Sequence, residues 1–81
     1  MLEEAARDLA KMDTAVARRV VARIRWLAEN LEDLQPEALT GNLAGFYKLR
    51  AGDYRVVYEI VRAGSMMIVH LVGHRREIYR R

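Results

Sequence analysis

The chain has 81 residues, is 52% hydrophobic and 31% charged, carries a formal net charge of +3 and contains no cysteine. That length predicts one small domain over residues 1–81 with a thin core, and the lack of cysteine excludes a disulfide scaffold and any thiolate metal or redox site. The apolar runs are too short for a membrane span and the acidic start Met1-Leu2-Glu3-Glu4 is unlike a signal peptide, so a soluble cytoplasmic protein with no membrane partner is expected.

The charge is unevenly divided. Residues 1–40 carry six Lys/Arg against eight Asp/Glu, a net −2, whereas residues 41–81 carry eight against three, a net +5. Twelve of the fourteen basic residues are Arg, whose planar fork suits phosphate. A basic second half points to a polyanionic partner such as nucleic acid, although many small basic domains bind none.

Residues 2–11 are rich in helix formers, with acids early and Lys11 late, as the helix dipole favours. Asp13 or Thr14 then offers an N-cap for a second helix over 14–31. Its apolar stripe is Val16, Val20, Ile24, Leu27 and Leu31 at 3.6-residue spacing. Trp26 lies on the less apolar side of that helix. It suits either a partner contact or partial burial beneath the connector. Residues 32–45 are that connector, opened by the helix-stopping Pro36.

After Gly45 the period changes from 3.6 to 2. Phe46–Arg50, Tyr54–Val61 and Met66–Val72 read as strands, separated by hairpin turns at 51–53 and 62–65. Residues 74–81 are polar and form a short C-terminal helix or tail. The predicted fold is α+β: an N-terminal helical hairpin packed on a three-stranded antiparallel β-meander.

Alternation assigns the sheet faces. Tyr54, Val56, Tyr58 and Ile60 take one side of the middle strand, and Tyr47 and Leu49 join them beneath the helices. Lys48, Arg50 and Arg55 converge on the opposite face. Such a trio suits a phosphodiester and the charge that grows on its oxygens during cleavage; equally, it suits a solvated sheet face with Glu59 as partner.

Gly73-His74-Arg75-Arg76-Glu77-Ile78-Tyr79 adds cations beyond the last strand, together with two proton-transfer candidates. Histidine titrates near neutrality, as acid–base work requires, and His74 is otherwise a surface histidine beside arginines. A tyrosine moves protons where cations lower its pKa from about 10, and Tyr79 otherwise anchors the tail on the sheet. His70, by alternation on the side of Met66, Ile68 and Val72, reads as a packing residue.

Ser65 is the only serine and has no His-Asp arrangement around it. Asp53, Glu59 and Glu77 are too scattered for a two-metal nuclease, and the isolated glycines make no phosphate loop. RNA cleavage by the substrate's own 2′-OH remains, and DNA lacks that group.

Three runs together are distinctive: Leu43-Ala44-Gly45-Phe46-Tyr47-Lys48-Leu49-Arg50, Gly52-Asp53-Tyr54-Arg55-Val56-Val57-Tyr58-Glu59-Ile60 and Val72-Gly73-His74-Arg75-Arg76-Glu77-Ile78-Tyr79. They resemble the RelE branch of the RelE/ParE toxin superfamily over essentially the whole chain. The resemblance implies the toxin of a type II toxin–antitoxin pair, a ribosome-dependent endoribonuclease (mRNA interferase) that cuts mRNA in the ribosomal A site with no metal or cofactor. It assigns phosphate contacts to Lys48, Arg50 and Arg55, the cation after the last strand to Arg75, and the C-terminal aromatic to Tyr79. His74 is an added acid–base candidate, and Arg76 is interchangeable with Arg75 because tail lengths differ within the family.

The implied partners are the ribosome, mRNA and a cognate antitoxin with a helical, often acidic segment, in a toxin–antitoxin hetero-oligomer. One departure stands out: family members usually begin with a β-strand, whereas this chain opens in helix, so a RelE-like fold lacking its first strand and with an exposed sheet edge is expected. The alternatives are a ParE-like DNA gyrase inhibitor and a degenerate toxin that only binds its antitoxin.

Overall fold

The computed structural model describes residues 1–33, 35–61 and 66–80. Helix α1 spans Glu3–Ala10, with Glu3 and Glu4 in its first turn and an Arg7–Glu3 ion pair of 2.8 Å along one side. Helix α2 spans Thr14–Glu29. Asp13 is its N-cap, its carboxylate accepting the Ala15 N–H at 3.2 Å. Asn30 closes the helix by donating its side-chain amide to the Trp26 carbonyl at 2.8 Å, and a 3-10 turn over Leu31–Asp33 follows.

Four strands, one more than expected, form an antiparallel sheet in the order β1-β2-β3-β4. The extra strand, β1, is only Glu37–Ala38, within the connector, paired with Lys48 and Tyr47. Strand β2 is Tyr47–Ala51, β3 is Tyr54–Val61 and β4 is Met66–His74, two residues longer than its apolar run suggests. Between β2 and β3, Ala51 faces Tyr54 across Gly52 and Asp53, and Gly52 sits at φ +62°, a conformation glycine adopts freely. The predicted turn at 62–65 lies outside the described residues.

Both helices lie on one face. Ala5, Val20 and Leu27 meet Leu49, Val56, Tyr58, Val69 and Val72 in the core, with α1 against β4 and α2 against β2. The alternation of β2 and β3 is as the sequence predicts: Leu49 opposes Val56 and Tyr47 opposes Tyr58 on the helix side, while Lys48 opposes Val57 and Arg50 opposes Arg55 on the other. In β4 the simple alternation fails. Val57 pairs with Leu71 but Tyr58 pairs with Val69, so His70 is the extra residue of a β-bulge. Met66 and Ile68 therefore lie on the face opposite Val72, so the side that alternation gives to Met66, Ile68, His70 and Val72 together is split at the bulge.

Helix α1 covers part of the outer edge of β4. The Leu2 N–H donates to the Val69 carbonyl at 2.9 Å, and the Asp8 carboxylate, only 6% exposed, accepts the Val72 N–H at 3.1 Å. A sheet edge that the resemblance leaves open is thus partly satisfied from within the chain. Asp8→Ala strands that buried N–H, and is expected to lower stability by about 1–3 kcal/mol in urea unfolding.

Tyr58 reports on the core in a second way. Burial chiefly, with Tyr47 and Glu37 adding repulsion, raises its pKa above the ordinary 10. The unfolded chain therefore ionises this phenol first, so its contribution is complete below pH ~10 and is lost as pH rises from there through the folded value. Tyr58→Phe is expected to flatten that alkaline fall in stability, measured by denaturation across pH 8 to 12.

Candidate active site

Three basic side chains are set by the register of β2 on β3. Lys48, Arg50 and Arg55 all project from the sheet face away from the helices, Lys48 and Arg50 about 7 Å apart along the strand. Arg50 and Arg55 are direct cross-strand partners, a like-charge pairing that sheets normally avoid. Arg55 is steadied by donating one guanidinium nitrogen to the Gly52 carbonyl at 2.7 Å and the Tyr54 carbonyl at 2.8 Å. The Lys48 ammonium stands 3.6 Å from Glu37, both partly exposed, an ion pair weak enough to exchange for another anion.

The residues after β4 return to this face. Glu77 donates its N–H to the His74 carbonyl at 2.9 Å, and a 3-10 turn over Ile78–Arg80 follows. Ile78, 1% exposed, lies against Gly73: a Cβ on that glycine would be 3.0 Å from Ile78 Cδ1. Gly73 is opposite Arg55. Residues 75–77 and Tyr79 are exposed, but Ile78 clamps this short helical segment to the sheet, and Ile78 rather than Tyr79 is its anchor. Tyr79 stays 43% exposed and shares with Lys48 a cavity of about 360 Å³.

Arg75 joins the group at the β2–β3 turn. Its N–H donates to the Asp53 carbonyl at 2.8 Å and its Nε lies 3.7 Å from the Asp53 carboxylate. The Arg55 guanidinium and the Arg75 backbone N–H are thus fastened to adjacent turn carbonyls, those of Gly52 and Asp53.

His74 is not brought to this face. It pairs with Tyr54, stacks edge-on against the Tyr54 ring at 5.5 Å, and accepts the Arg76 N–H on Nδ1 at 3.2 Å. Tyr54 packs against the helix-side core, so His74 lies across the sheet from Lys48 and Arg55. Arg76 is exposed beyond the strand.

His70, which the sequence reads as a packing residue, does pack, and has a polar partner as well. The bulge lets its Nε2 meet Glu59 Oε1 at 2.8 Å and its ring meet Phe46 at 4.8 Å, on the side of Lys48. A histidine beside a β-branched run, with a Glu one strand away, was the only available signal. Among the described residues no three His, Asp or Glu side chains come together as a metal-ligand set.

A family model described as "ParE toxin of type II toxin-antitoxin system, parDE" matches residues 1–79. The chain belongs to this family of toxins, within the RelE/ParE superfamily. Among solved structures, the RelBE2 toxin–antitoxin complex of Mycobacterium tuberculosis contains a chain of 27% identity and TM-score 0.78, with 90% of each chain covered. The RelB–RelE antitoxin–toxin complex of Methanococcus jannaschii contains one of 22% identity and TM-score 0.69, covering 98% of this chain and 93% of that one, a likeness of fold. No curated protein matches the sequence.

The toxin also presents a groove of about 700 Å³ between α2 and the β2–β3 turn. Trp26, 41% exposed, borders it with the Arg23 guanidinium 4.6 Å above its ring, and on its other side shares a pocket with Gln35, Pro36 and Glu37 of the connector. No helix among the described residues is long and apolar enough to cross a membrane.

Since Ile78 is the clamp that holds Tyr79 near Lys48, Ile78→Ala is expected to destabilise the toxin by about 2–4 kcal/mol in chemical denaturation. In the same variant the Tyr79 ring resonances should move towards random-coil positions in NMR spectra, while those of Tyr58 stay dispersed.

Proposed function

We propose that this toxin is a ribosome-dependent endoribonuclease that cuts mRNA by attack of the substrate 2′-OH on the adjacent phosphate. The observation that carries the reading is the convergence of Lys48, Arg50 and Arg55 on one sheet face, with Tyr79 held beside Lys48 at a shared cavity. Cations at fixed positions stabilise the dianionic transition state; the Arg55 guanidinium is held by the Gly52 and Tyr54 carbonyls, and Arg75 is held through its backbone N–H on the Asp53 carbonyl with its Nε beside the Asp53 carboxylate. Lys48 and Arg50 bind the flanking phosphate. Tyr79 protonates the leaving 5′-oxygen as the 2′-oxygen displaces it from phosphorus. The 2′-OH proton goes to solvent or to a base on the same face, and the products are a 2′,3′-cyclic phosphate, or the 3′-phosphate it hydrolyses to, and a 5′-OH.

The second reading is a ParE-like gyrase inhibitor, favoured by the family model itself. It needs no acid–base group beside the cations, and purified-gyrase supercoiling assays separate it from RNA cleavage. In either case the proposed physiological partner is an antitoxin, as in the two complexes that share this fold. Its acidic amphipathic segment suits the Arg19, Arg23 and Trp26 groove.

In a translating extract, the wild-type toxin is expected to leave mapped cuts with 5′-OH ends. Arg55→Ala and Tyr79→Phe should each lower cleavage by about 10²- to 10⁴-fold with dispersed NMR spectra retained. His74→Ala should keep most of the activity, because its ring lies on the helix side. Uncut message with folded wild-type toxin would reject the nuclease reading. Growth arrest on expression, relieved by the product of the neighbouring gene, tests the toxin–antitoxin pairing itself.

A further inference from the structure

The cavity beside Lys48 and Tyr79 has walls that neither phosphate binding nor proton transfer explains. Its other lining residues are Leu39, Thr40, Asn42 and Leu43, all from the connector. We propose that it is a nucleobase-reading subsite, in which Asn42 and Thr40 select the base next to the phosphate held at Lys48. This rests on the RNA-cleavage reading above and adds to it the group that chooses where the message is cut.

Size and chemistry agree on the ligand class. About 360 Å³ is near the bottom of the range for small-molecule sites, roughly 300–1,000 Å³, and so suits a single flat heterocycle. A site for phosphate alone needs charge, not an apolar floor. Here Leu39 and Leu43 supply that floor and are half-buried, while the exposed Tyr79 ring supplies a stacking surface of the kind single-stranded RNA uses. Asn42 carries both a donor and an acceptor, and the Thr40 hydroxyl can serve as either. A paired donor and acceptor is what a base edge demands.

The backbone behind these walls is hydrogen-bonded throughout the connector's turn. Leu39 donates its N–H to the Phe46 carbonyl at 2.9 Å, closing the connector at its base. Within it, Leu43 donates to Thr40 at 3.3 Å, Ala44 to Gly41 at 3.1 Å and Phe46 to Leu43 at 3.1 Å. Gly41 takes φ +65° to make the 3-10 turn that carries Asn42. Ile78 fixes the opposite wall through Gly73. These bonds fix the backbone that carries Asn42 and Thr40, and so limit where their side chains can reach a base.

The test uses the full isotopically labelled chain and single-stranded tetranucleotides, 2′-O-methylated so that they are not cut, carrying A, C, G or U at one position or an abasic ribose there. The expected result is base-dependent NMR shifts at the Asn42 side-chain amide, Thr40 and Tyr79 that the abasic strand does not produce. Asn42→Ala should reduce the affinity ratio between best and worst base about tenfold while leaving abasic binding unchanged. Equal shifts for all four bases and the abasic strand, no shift at these residues, or a wild-type base preference in both Asn42→Ala and Thr40→Ala would overturn it. Base-selective binding by a toxin that leaves message uncut supports the subsite and rejects the nuclease reading. Cleavage with a silent cavity rejects the subsite alone.

Discussion

Everything in this toxin depends on the register of β3 between its two neighbours. Tyr54, Val56, Tyr58 and Ile60 must face the helices, since a single-residue slip would exchange them for Arg55, Val57, Glu59 and Val61. Burying Arg55 unpaired among Val20, Leu27 and Leu49 would be far more expensive than any loss of hydrogen bonds. The hydrophobic requirement of a small core thus fixes, as a by-product, where the cations go. Folding and the candidate site are two faces of one constraint.

That coupling explains which features were legible from the residues alone. The Lys48, Arg50 and Arg55 face, the Asp13 cap and the helical hairpin follow from local periods, and local periods are written in sequence. The two-residue strand Glu37–Ala38 has no strand-like composition and exists because Lys48 and Tyr47 pair with it across a connector. Val72 was grouped with Met66, Ile68 and His70 because one inserted residue in β4 shifts the alternation beyond it, and nothing in Val69-His70-Leu71 marks the bulge. The same shift carries His74 to the helix side, against Tyr54. Ile78 was read as part of a polar tail, yet one isoleucine meeting the bare Cα of Gly73 suffices to anchor it.

The helical side differs in what it leaves open. Strand β4 accepts a hydrogen bond from the Leu2 N–H and donates one to the Asp8 carboxylate, so α1 acts as cover for an edge as well as for the core. Helix α2 leaves Trp26 and Arg23 stacked at the surface, with Arg23 also donating to the Arg50 carbonyl at 3.4 Å. An occupant of that groove would therefore touch the backbone of the strand that carries Lys48 and Arg50. Coupling between a partner on the helix side and the basic face needs no long pathway, because one guanidinium already spans the two elements.

Arg50 opposite Arg55 is the arrangement that stability alone would not select. Like charges across a strand pair disfavour the sheet by a few tenths to about 1 kcal/mol, and the nearby carboxylates do not neutralise it: Glu37 engages Lys48 and Asp53 engages Arg75. Arg55 instead leans on the neutral carbonyls of Gly52 and Tyr54, which hold its guanidinium in place without cancelling its charge. Local rules broken without a structural gain are what functional or strained positions are expected to show. A phosphodiester across β2 and β3 would turn that repulsion into attraction, and a chain of 81 residues with a thin core has little stability to spare for a charge pattern that serves nothing.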